Sequence, residues 1–586
     1  MDIDMNVESD QFTGKQLIAY KNNSPDVLDR LYFHLYFNAF QPGSSMDIRS
    51  QTIPDPDPRI GERISTLTTR EQGYHHIREI TQGGQILSFS VQGTILEVIP
   101  AKPIQPGQTI RLEMEYESQV PIQIRRSGRD NAEGIRYSMA QWYPKMCEYD
   151  RMGWHTEPYI GREFYGVWGD FDVTIAIDSQ YTVAATGELQ NPAKMRHGYG
   201  GTLKQKTAKT KWVFHAERVH DFVWAADPEF IHEQYACKNG LIIHTFYQDH
   251  ESYTRHWKKL PAIMEEVNLY AGQHFGPYPY KQFSIIQGGD GGMEYPMATL
   301  ITGQRPLVSL VGVTVHEFLH SWFYGVLGFN ESLYYWMDEG FTNYAEILVM
   351  NHLRSKGLIP GTPDANPYGN EFKSYYAIHT RGIEEPLSTH ADHFEFNTAY
   401  GFAAYTKGGI LLHQLEYIMG AAAFSRGMLS FYDAWKFKHP DDIDFIRCME
   451  KASGLELDWY REYMVMTTKT IDYAVDTVFQ NGSESTIQLV NIGSMPMPLD
   501  VKVELGNGNS YTYTIPIDLM RGSKMENDPQ GKPIRVLPDW KWVSPAYLLS
   551  VPYRINDIKS VSLDPQKRMA DMDRDNNQWP PVPGED

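Results

Sequence analysis

The sequence predicts a multidomain α+β protein: an antiparallel β domain at the amino terminus, a mainly helical middle domain and a small carboxy-terminal β-sandwich. Its 586 residues exceed the length that one hydrophobic core serves. Apolar residues alternate up to about residue 240 and again after residue 470, and between these regions they recur every three or four residues. The predicted domains are 1–242, 243–470 and 471–570, followed by a polar, Pro-rich surface tail at 571–586.

The amino-terminal region has the period of half-buried strands. In TIRLEMEYE, Ile110, Leu112, Met114 and Tyr116 alternate with charged residues. RLYFHLYFN and FDVTIAID show a similar alternation, and turn-rich stretches such as PDPDP lie between them. We therefore expect a large, mostly antiparallel β domain.

The middle and carboxy-terminal regions differ in period. VGVTVHEFLHSWFYG, EGFTNYAEILVMNHL and GGILLHQLEYIMG have helical spacing, and Gly420 stands where a helix ends. After residue 470, PLDVKVEL alternates again and GNGN supplies a hairpin turn. A β-sandwich of about 90 residues, the size of an immunoglobulin-like domain, is expected there.

Composition excludes several classes of function. A net charge of −20 argues against a nucleic-acid partner. No apolar run reaches the roughly 18 residues of a membrane span. Cys147, Cys237 and Cys448 are too few and too far apart for a disulfide framework or a Cys-based zinc site. We expect a soluble protein; the sequence leaves open whether it is cytoplasmic or exported after signal removal, and whether it forms a homo-oligomer.

The stretch VTVHEFLHSW, residues 313–322, has the spacing of a metal site. His316 and His320 are one helical turn apart, so both imidazoles can reach one ion. Glu317 lies about 100° further around the helix, where it can approach a water beside the ion without being a ligand. Either histidine taken alone would more often be an ordinary core residue.

A catalytic zinc needs a third protein ligand and an open fourth position. Glu339 follows His320 after eighteen intervening residues and begins another helical pattern, so it can complete a His, His, Glu set. Its alternative role is a solvated carboxylate at a helix start. Glu346, on the same helix face, can hydrogen-bond a ligating imidazole, although a plain surface glutamate is equally expected.

A third unusual stretch is DGGMEYP, residues 290–296. Its two glycines let the backbone approach a ligand closely, and Glu294 follows them. Taken alone, this pattern is typical of a turn.

In this order, DGGMEYP, HEFLH and the glutamate of WMDEGF resemble the motifs of the aminopeptidase-N-type zinc aminopeptidases, a gluzincin family that includes leukotriene hydrolase. The resemblance covers most of the chain and implies a thermolysin-like catalytic domain. It implies one zinc ion per chain, bound by His316, His320 and Glu339, with Glu317 as the general base.

The same resemblance implies how a substrate is held. Glu294 is expected to bind the free α-amine, with Gln141 near a position that helps to hold it. Gly291, Gly292 and Met293 are expected along the substrate backbone. In AYGFAAYTKGGILL, the resemblance assigns the oxyanion donor to Tyr405 and places Tyr400 in the same pocket.

Two departures from the family pattern stand out. Tyr295 occupies the place of the asparagine in the Gly-x-Met-Glu-Asn motif, and the long helical carboxy-terminal domain of many members does not follow. Gln287, Met293 and Tyr143 are candidates for the pocket that takes the first side chain of a substrate.

The expected function is a zinc aminopeptidase acting on peptides with a free amino terminus. A buried carboxylate suits a substrate ammonium, but it would be left unpaired against an internal peptide. A thermolysin-type endopeptidase would have no use for Glu294. An inactive peptide-binding protein would be expected to lose Glu317, a ligand or the tyrosine, and all of these are present. Nothing in the sequence points to an epoxide hydrolase activity.

Overall fold

The computed structural model describes residues 1–195, 198–199, 208–527, 531 and 534–581. An amino-terminal β domain is followed by a helical domain built on a mixed sheet, and then by a carboxy-terminal pair of β-sheets. This architecture confirms the predicted fold class. Among the described residues, no helix combines the length and the apolar character needed to cross a membrane.

The amino-terminal domain is built on an eight-stranded sheet of order β16-β17-β14-β1-β2-β8-β4-β5, with two four-stranded sheets and one hairpin beside it. Its strand β8 shows the predicted alternation, with inward apolar and outward charged residues. The strands are β1 (Asp2–Asn6), β2 (Gln11–Lys21), β3 (Leu31–His34), β4 (Tyr74–Gln82), β5 (Gln85–Ile86), β6 (Phe89–Gln92), β7 (Ile95–Val98), β8 (Thr109–Gln119), β9 (Gly128–Arg129), β10 (Tyr137–Met139), β11 (Lys145–Met146), β12 (Tyr149–Asp150), β13 (Gly153–Trp154), β14 (Gly169–Asp178), β15 (Thr182–Ala185), β16 (Glu188–Leu189), β17 (Lys209–Val219) and β18 (Trp224–Asp227).

A five-stranded mixed sheet of order β19-β20-β21-β23-β22 opens the middle domain. Its strands are β19 (Ile231–Ala236), β20 (Ile242–Tyr247), β21 (Gln282–Gln287), β22 (Gly292–Tyr295) and β23 (Ala298–Ile301). Because β19 pairs with β20, the sheet starts before residue 243, where the sequence placed the boundary. A period-2 pattern predicts a strand but does not say which sheet the strand joins.

Helices make up the rest of the middle domain, and helix α1 (Ser45–Thr52) lies in the amino-terminal domain. The others are α2 (Thr254–Trp257), α3 (Leu260–Phe275), α4 (Leu307–Leu319), α5 (Glu331–Ser355), α6 (Gly369–Arg381), α7 (Asn397–Gly401), α8 (Gly408–Met419), α9 (Ala421–Trp435), α10 (Asp442–Ser453) and α11 (Asp458–Met466). Helix α4 buries Leu310, Val311, Val315, Phe318 and Leu319, the stripe that its three- and four-residue spacing predicts. Helix α5 begins after Asn330, whose side chain accepts a hydrogen bond from the backbone N–H of Ser332.

Two glycines bring α5 and α8 close together. A β-carbon on Gly340 would lie 2.5 Å from the Cα of Gly408, so neither position has room for a side chain. Immediately before α8, residues Phe402–Lys407 form a π-helical turn, a backbone form that is rare and frequent at functional sites. This turn carries Tyr405 to the helix that holds Glu339.

The carboxy-terminal domain packs a three-stranded sheet and a five-stranded sheet. Its strands are β24 (Tyr473–Asn481), β25 (Glu484–Asn491), β26 (Leu499–Leu505), β27 (Ser510–Ile515), β28 (Arg535–Val536), β29 (Ala546–Val551), β30 (Ile558–Leu563) and β31 (Gln578–Trp579). Residues 571–581, expected as part of a surface tail, instead pack on this domain, because β31 pairs with β30 and Asp571 is fully buried. Residues 582–586 of the expected tail lie outside the described residues.

Candidate active site

The three candidate ligands converge between α4 and α5. His316 lies in the last turn of α4, His320 directly follows that helix, and Glu339 lies in α5. Oε2 of Glu339 is 3.1 Å from Nε2 of His316 and 3.2 Å from Nε2 of His320, and the two Nε2 atoms are 3.2 Å apart. Tetrahedral ligands at 2.0–2.1 Å from zinc lie about 3.3 Å from one another. The donor types and their spacing therefore fit a zinc ion.

Carboxylates hold the outer nitrogen of each imidazole. Nδ1 of His316 is 2.9 Å from Glu346, and Nδ1 of His320 is 2.6 Å from Asp338. A carboxylate accepts the Nδ1 proton, which leaves the Nε2 lone pair for a metal. Glu346 thus takes the position proposed for it, whereas Asp338 was missed. Asp338 precedes Glu339 directly, and adjacent helical residues diverge by about 100°, so no sequence pattern linked Asp338 to His320.

The carboxylates around His316 and His320 favour a positive charge where these two side chains meet Glu339. Burial lowers the pKa of His316, but hydrogen bonds to Glu339 and Glu346 outweigh burial and raise it to about 10. Burial raises the pKa of Glu339, but hydrogen bonds to His316 and His320 lower it below its ordinary value. Burial raises the pKa of Asp338 to about 8, against the opposing charge of His320.

Two further buried carboxylates, those of Glu294 and Glu317, lie close to His320. Glu294 and Glu317 are each 6% exposed. Oε1 of Glu294 and Oε2 of Glu317 have no hydrogen-bond partner among the described residues. One donor atom from each of Glu294, Glu317 and His320 lies within 4.8 Å of the other two. Burial, and after it the charge of Glu294, raises the pKa of Glu317 well above its ordinary value.

Gly292 makes this arrangement sterically possible. A β-carbon at this position would lie 2.2 Å from Oε1 of Glu317, closer than any real contact. Gly291, with φ of 93°, turns the chain into β22 just before it. The two glycines therefore let the backbone pass beside the Glu317 carboxylate, and the close approach to a ligand expected from the sequence stays a prediction.

Tyr405 completes the cluster from the π-helical turn. Its hydroxyl donates a short hydrogen bond to Oε1 of Glu339, and its ring lies nearly parallel to that of His316. Two residues on, the buried Lys407 ammonium donates to Glu384 at 2.6 Å and to the carbonyl of Thr467 at 3.0 Å. These bonds anchor the turn that presents the tyrosine.

A cavity of about 990 Å³ opens over these groups. Among its lining residues are Gly291, Gly292, His316, Glu317, Tyr400 and Tyr405. Part of its wall is an ion network that no sequence motif indicated, in which Arg125 and Arg126 of the amino-terminal domain contact Asp290, and Arg126 also pairs with Glu163. These residues are far apart in sequence, and only the tertiary fold brings them together.

The remaining predicted residues lie behind the cavity wall. Gln141 is buried between Tyr295 and Asp221, and Met293 points into an apolar core together with Tyr295. Gln287 hydrogen-bonds the backbone N–H of Gln248 and the carboxylate of Glu133. Within the described residues, the lining of this cavity includes none of Gln141, Gln287, Met293 or Tyr143, and it also does not include Glu294, His320 or Glu339.

Residues 260–464, which hold His316, His320, Glu339 and Tyr405, match the model of the peptidase family M1 domain. This stretch of the chain is thus similar to the M1 peptidase domain. This confirms the resemblance to the zinc aminopeptidases that the motifs indicated.

Curated relatives match the M1 domain over part of their length. Glutamyl aminopeptidase of Rattus norvegicus is 24% identical over 262 residues, 44% of this chain and 25% of the relative. Leukotriene A-4 hydrolase of Xenopus laevis is 29% identical over 194 residues, 29% of each chain. The matches thus span about a quarter to a third of these relatives.

Solved structures share the fold over a larger share of the chain. An M1 zinc metallopeptidase of Deinococcus radiodurans superposes with a TM-score of 0.52 at 14% identity, covering 79% of this chain and 92% of that one. A likeness at this identity supports the fold described above and nothing beyond the fold.

Proposed function

We propose that the protein is a zinc-dependent aminopeptidase that hydrolyses the first peptide bond of peptides with a free amino terminus. One observation carries the proposal: Glu294 is a buried carboxylate without a hydrogen-bond partner among the described residues, and it lies within 4.8 Å of Glu317 and His320. An unpaired buried carboxylate is costly unless a cation meets it, and the ammonium of a peptide amino terminus is such a cation.

His316, His320 and Glu339 would hold one zinc ion per chain. Bound zinc acts as a Lewis acid and lowers the pKa of a coordinated water to about 7. The M1 relatives of known structure include zinc metallopeptidases, and the N, N, O donor set with its 3.1–3.2 Å spacing supports the same ion here.

Glu317 is the general base in this proposal. Its Oε2 has no hydrogen-bond partner among the described residues, so it is available to accept a proton from the attacking water. The protonated carboxyl can then pass that proton to the departing amine nitrogen. Gly292 keeps the approach to this carboxylate open.

Glu294 sets the distance from the amino terminus to the bond that is cut. It lies two residues after Gly292 on β22, so both face Glu317. A substrate ammonium held by Glu294 brings the first carbonyl to Glu317, and an internal peptide offers no charge to that carboxylate. This is why the geometry favours an aminopeptidase over a thermolysin-type endopeptidase.

Tyr405 supplies a hydrogen-bond donor for the oxyanion. Its hydroxyl already points at the ligand Glu339, and a small rotation about the side chain redirects it toward the cavity that Tyr405 lines. Donors aimed at a developing oxyanion are among the largest contributions to such reactions.

Hydrolysis of amino-acid anilides tests the proposal. Each anilide is offered with a free and with an acetylated amine, to the protein as purified, after chelation, and after zinc is restored. Free-amine substrates are expected to be cut and acetylated ones not, with activity lost on chelation and regained with zinc.

The Glu294→Gln variant isolates the amine contact. Removing one partner of a buried charge pair costs about 2–5 kcal/mol, so kcat/KM for free-amine substrates should fall by at least 30-fold. Glu416→Gln is the matched control, because Glu416 is a half-buried glutamate of α8 that hydrogen-bonds Tyr344 outside the cavity.

Equal cleavage of acetylated and free substrates would instead support the endopeptidase. Zinc binding without any cleavage would favour the inactive peptide-binding protein.

A further inference from the structure

Strand β22 has two faces with different surroundings. Gly292 and Glu294 face Glu317, whereas Met293 and Tyr295 point the other way into an apolar core. The strand is also at the edge of its sheet, so among the described residues β23 is the only strand that pairs with it. The position of Glu294 therefore depends on what holds the far face of an edge strand.

A chain of buried polar groups contacts that far face. The Tyr295 hydroxyl donates to Oε1 of Gln141 at 3.1 Å, and Nε2 of Gln141 donates to Oδ2 of Asp221 at 3.3 Å. Lys145 donates to the same Asp221 oxygen at 2.7 Å, and the Tyr143 hydroxyl donates to Oδ1 at 3.1 Å. We call Tyr295, Gln141, Asp221 and Lys145 the Tyr295 relay.

The relay is anchored at its far end. Lys145 and Asp221 form a buried ion pair, and burial, which raises the pKa of Asp221, is outweighed by Lys145, which lowers it. Asp221 also accepts from the backbone N–H of Phe222 at 2.7 Å. Breaking such a pair leaves an uncompensated charge in the core, so Asp221 is a fixed acceptor.

Gln141 is fixed in one orientation by its two neighbours. Because ionised Asp221 only accepts hydrogen bonds, the Gln141 amide must point its NH₂ group toward Asp221 and its oxygen toward Tyr295. Its backbone has φ of 46°, an uncommon conformation for a residue other than glycine. Gln141 is 2% exposed, and its one described contact toward β22 is the Tyr295 hydroxyl.

We propose that Tyr295 is a positioning residue that fixes Glu294 for the substrate ammonium, and that Gln141 acts through Tyr295 rather than on the amine. The inference rests on the proposed role of Glu294 and deepens it. The relay joins the amino-terminal domain to the strand that carries the amine anchor. It also gives a role to the tyrosine that stands where the resembling family has asparagine.

Calorimetric binding of two hydroxamates tests the inference on the zinc-loaded protein. L-leucine hydroxamate carries the amine, and 4-methylpentanohydroxamate is the same molecule without it. In Tyr295→Phe, the Gln141 oxygen loses its donor, and a lost hydrogen bond of this kind weakens the amine contact roughly tenfold. We expect the Kd of leucine hydroxamate to rise about tenfold and that of the des-amino compound to stay within about twofold of wild type.

Tyr247→Phe is the matched control. Tyr247 is a buried tyrosine of the same sheet, and its hydroxyl donates to Glu233 at 2.7 Å, outside the relay. This variant should bind both compounds as wild type does. In hydrolysis, Tyr295→Phe should raise KM about tenfold with kcat little changed, because Glu317 and the zinc ligands are untouched.

A double-mutant cycle separates the two possible roles of Gln141. If it acts through Tyr295, Gln141→Leu and the double variant should each match Tyr295→Phe, because one connection is broken in all three. If instead the affinity losses of the two single variants multiply in the double variant, Gln141 contacts the amine directly and the proposed relay is wrong. Equal weakening of both hydroxamates would show a disturbed zinc site and would also overturn it. If the wild-type protein does not discriminate between the hydroxamates, the proposed function fails first.

Discussion

The two sides of the active site differ in how their polar groups are satisfied. On the metal side, His316 and His320 contact a carboxylate through both ring nitrogens, with Glu339 shared between them. On the substrate side, Glu294 and Glu317 each keep an oxygen without a hydrogen-bond partner in the described part of the chain. Both sides lie within one buried cluster around His320.

This difference separates two kinds of preorganisation. The imidazoles are oriented by fixed partners, so a metal needs no rearrangement to enter. The substrate-side carboxylates are held in place by the backbone and by packing, and their free oxygens leave room for a proton or an ammonium. Changes on the two sides should therefore damage different steps, and the following predictions test this in order of expected effect.

The largest effect is expected from Glu317→Gln. Removing a general base typically costs about 10²–10⁴-fold in rate, so kcat should fall by that amount while zinc content stays at the wild-type level. Anilide hydrolysis and elemental analysis of the purified variant measure the two quantities. If the variant also loses zinc, Glu317 contributes to metal binding, and the metal side and the substrate side are not separate.

Tyr405→Phe should have the next largest effect. Loss of an oxyanion donor costs about 10²–10³-fold in kcat, and the phenylalanine ring can still pack beside His316. KM should change little, because the donor acts on the transition state rather than on the bound substrate. A variant with normal kcat would show that the hydroxyl serves only Glu339.

The sequence predicted those features that depend on local period and spacing. His316, His320 and Glu339 were found because helical spacing and the eighteen-residue interval survive in any fold that places α4 beside α5. Glu294 and Tyr405 needed the family resemblance, since a glutamate after two glycines and a tyrosine before a helix are common patterns. The fold class followed from the change of period along the chain.

Features that depend on tertiary contacts could not be predicted from the sequence. Gln141 was expected at the amine, yet its left-handed backbone and its bond to Tyr295 place it behind β22. Asp571 was expected in a polar tail, but its carboxylate accepts a hydrogen bond from the backbone N–H of Tyr473 at 3.0 Å. Composition predicts exposure on average, and it does not reveal which polar group meets a buried partner.

A smaller effect should distinguish the two outer carboxylates of the metal side. Asp338 is fully buried, whereas the Glu346 side chain is 27% exposed, so water can replace the latter. Asp338→Asn should weaken zinc binding about 10- to 100-fold, and Glu346→Gln by less. Competition with a chelator measures the zinc affinity of both variants. Equal losses of affinity would mean that the burial of the carboxylate does not determine how much it contributes to zinc binding.

His155 offers a comparison with His316. Its ring lies 2.9 Å from Asp150 and 3.4 Å from Glu157, a pair of carboxylates much like those around His316. Burial lowers the pKa of His155, but the two neighbouring acids outweigh burial and raise it to about 9. His155 belongs to no group of potential metal ligands among the described residues, so this site should bind a proton instead of a metal.

The stability that this proton supplies should depend on pH. Since the pKa is raised on folding, the contribution is fully present below about pH 6.5 and is lost as the pH rises toward 9, by at most about 3 kcal/mol. His155→Gln lacks this titration, so the difference in Tm between wild type and variant should shrink between pH 6 and pH 9. Parallel curves of Tm against pH would mean that His155 stays neutral. Added zinc should leave the difference unchanged, because His155 is in none of the groups of potential metal ligands among the described residues.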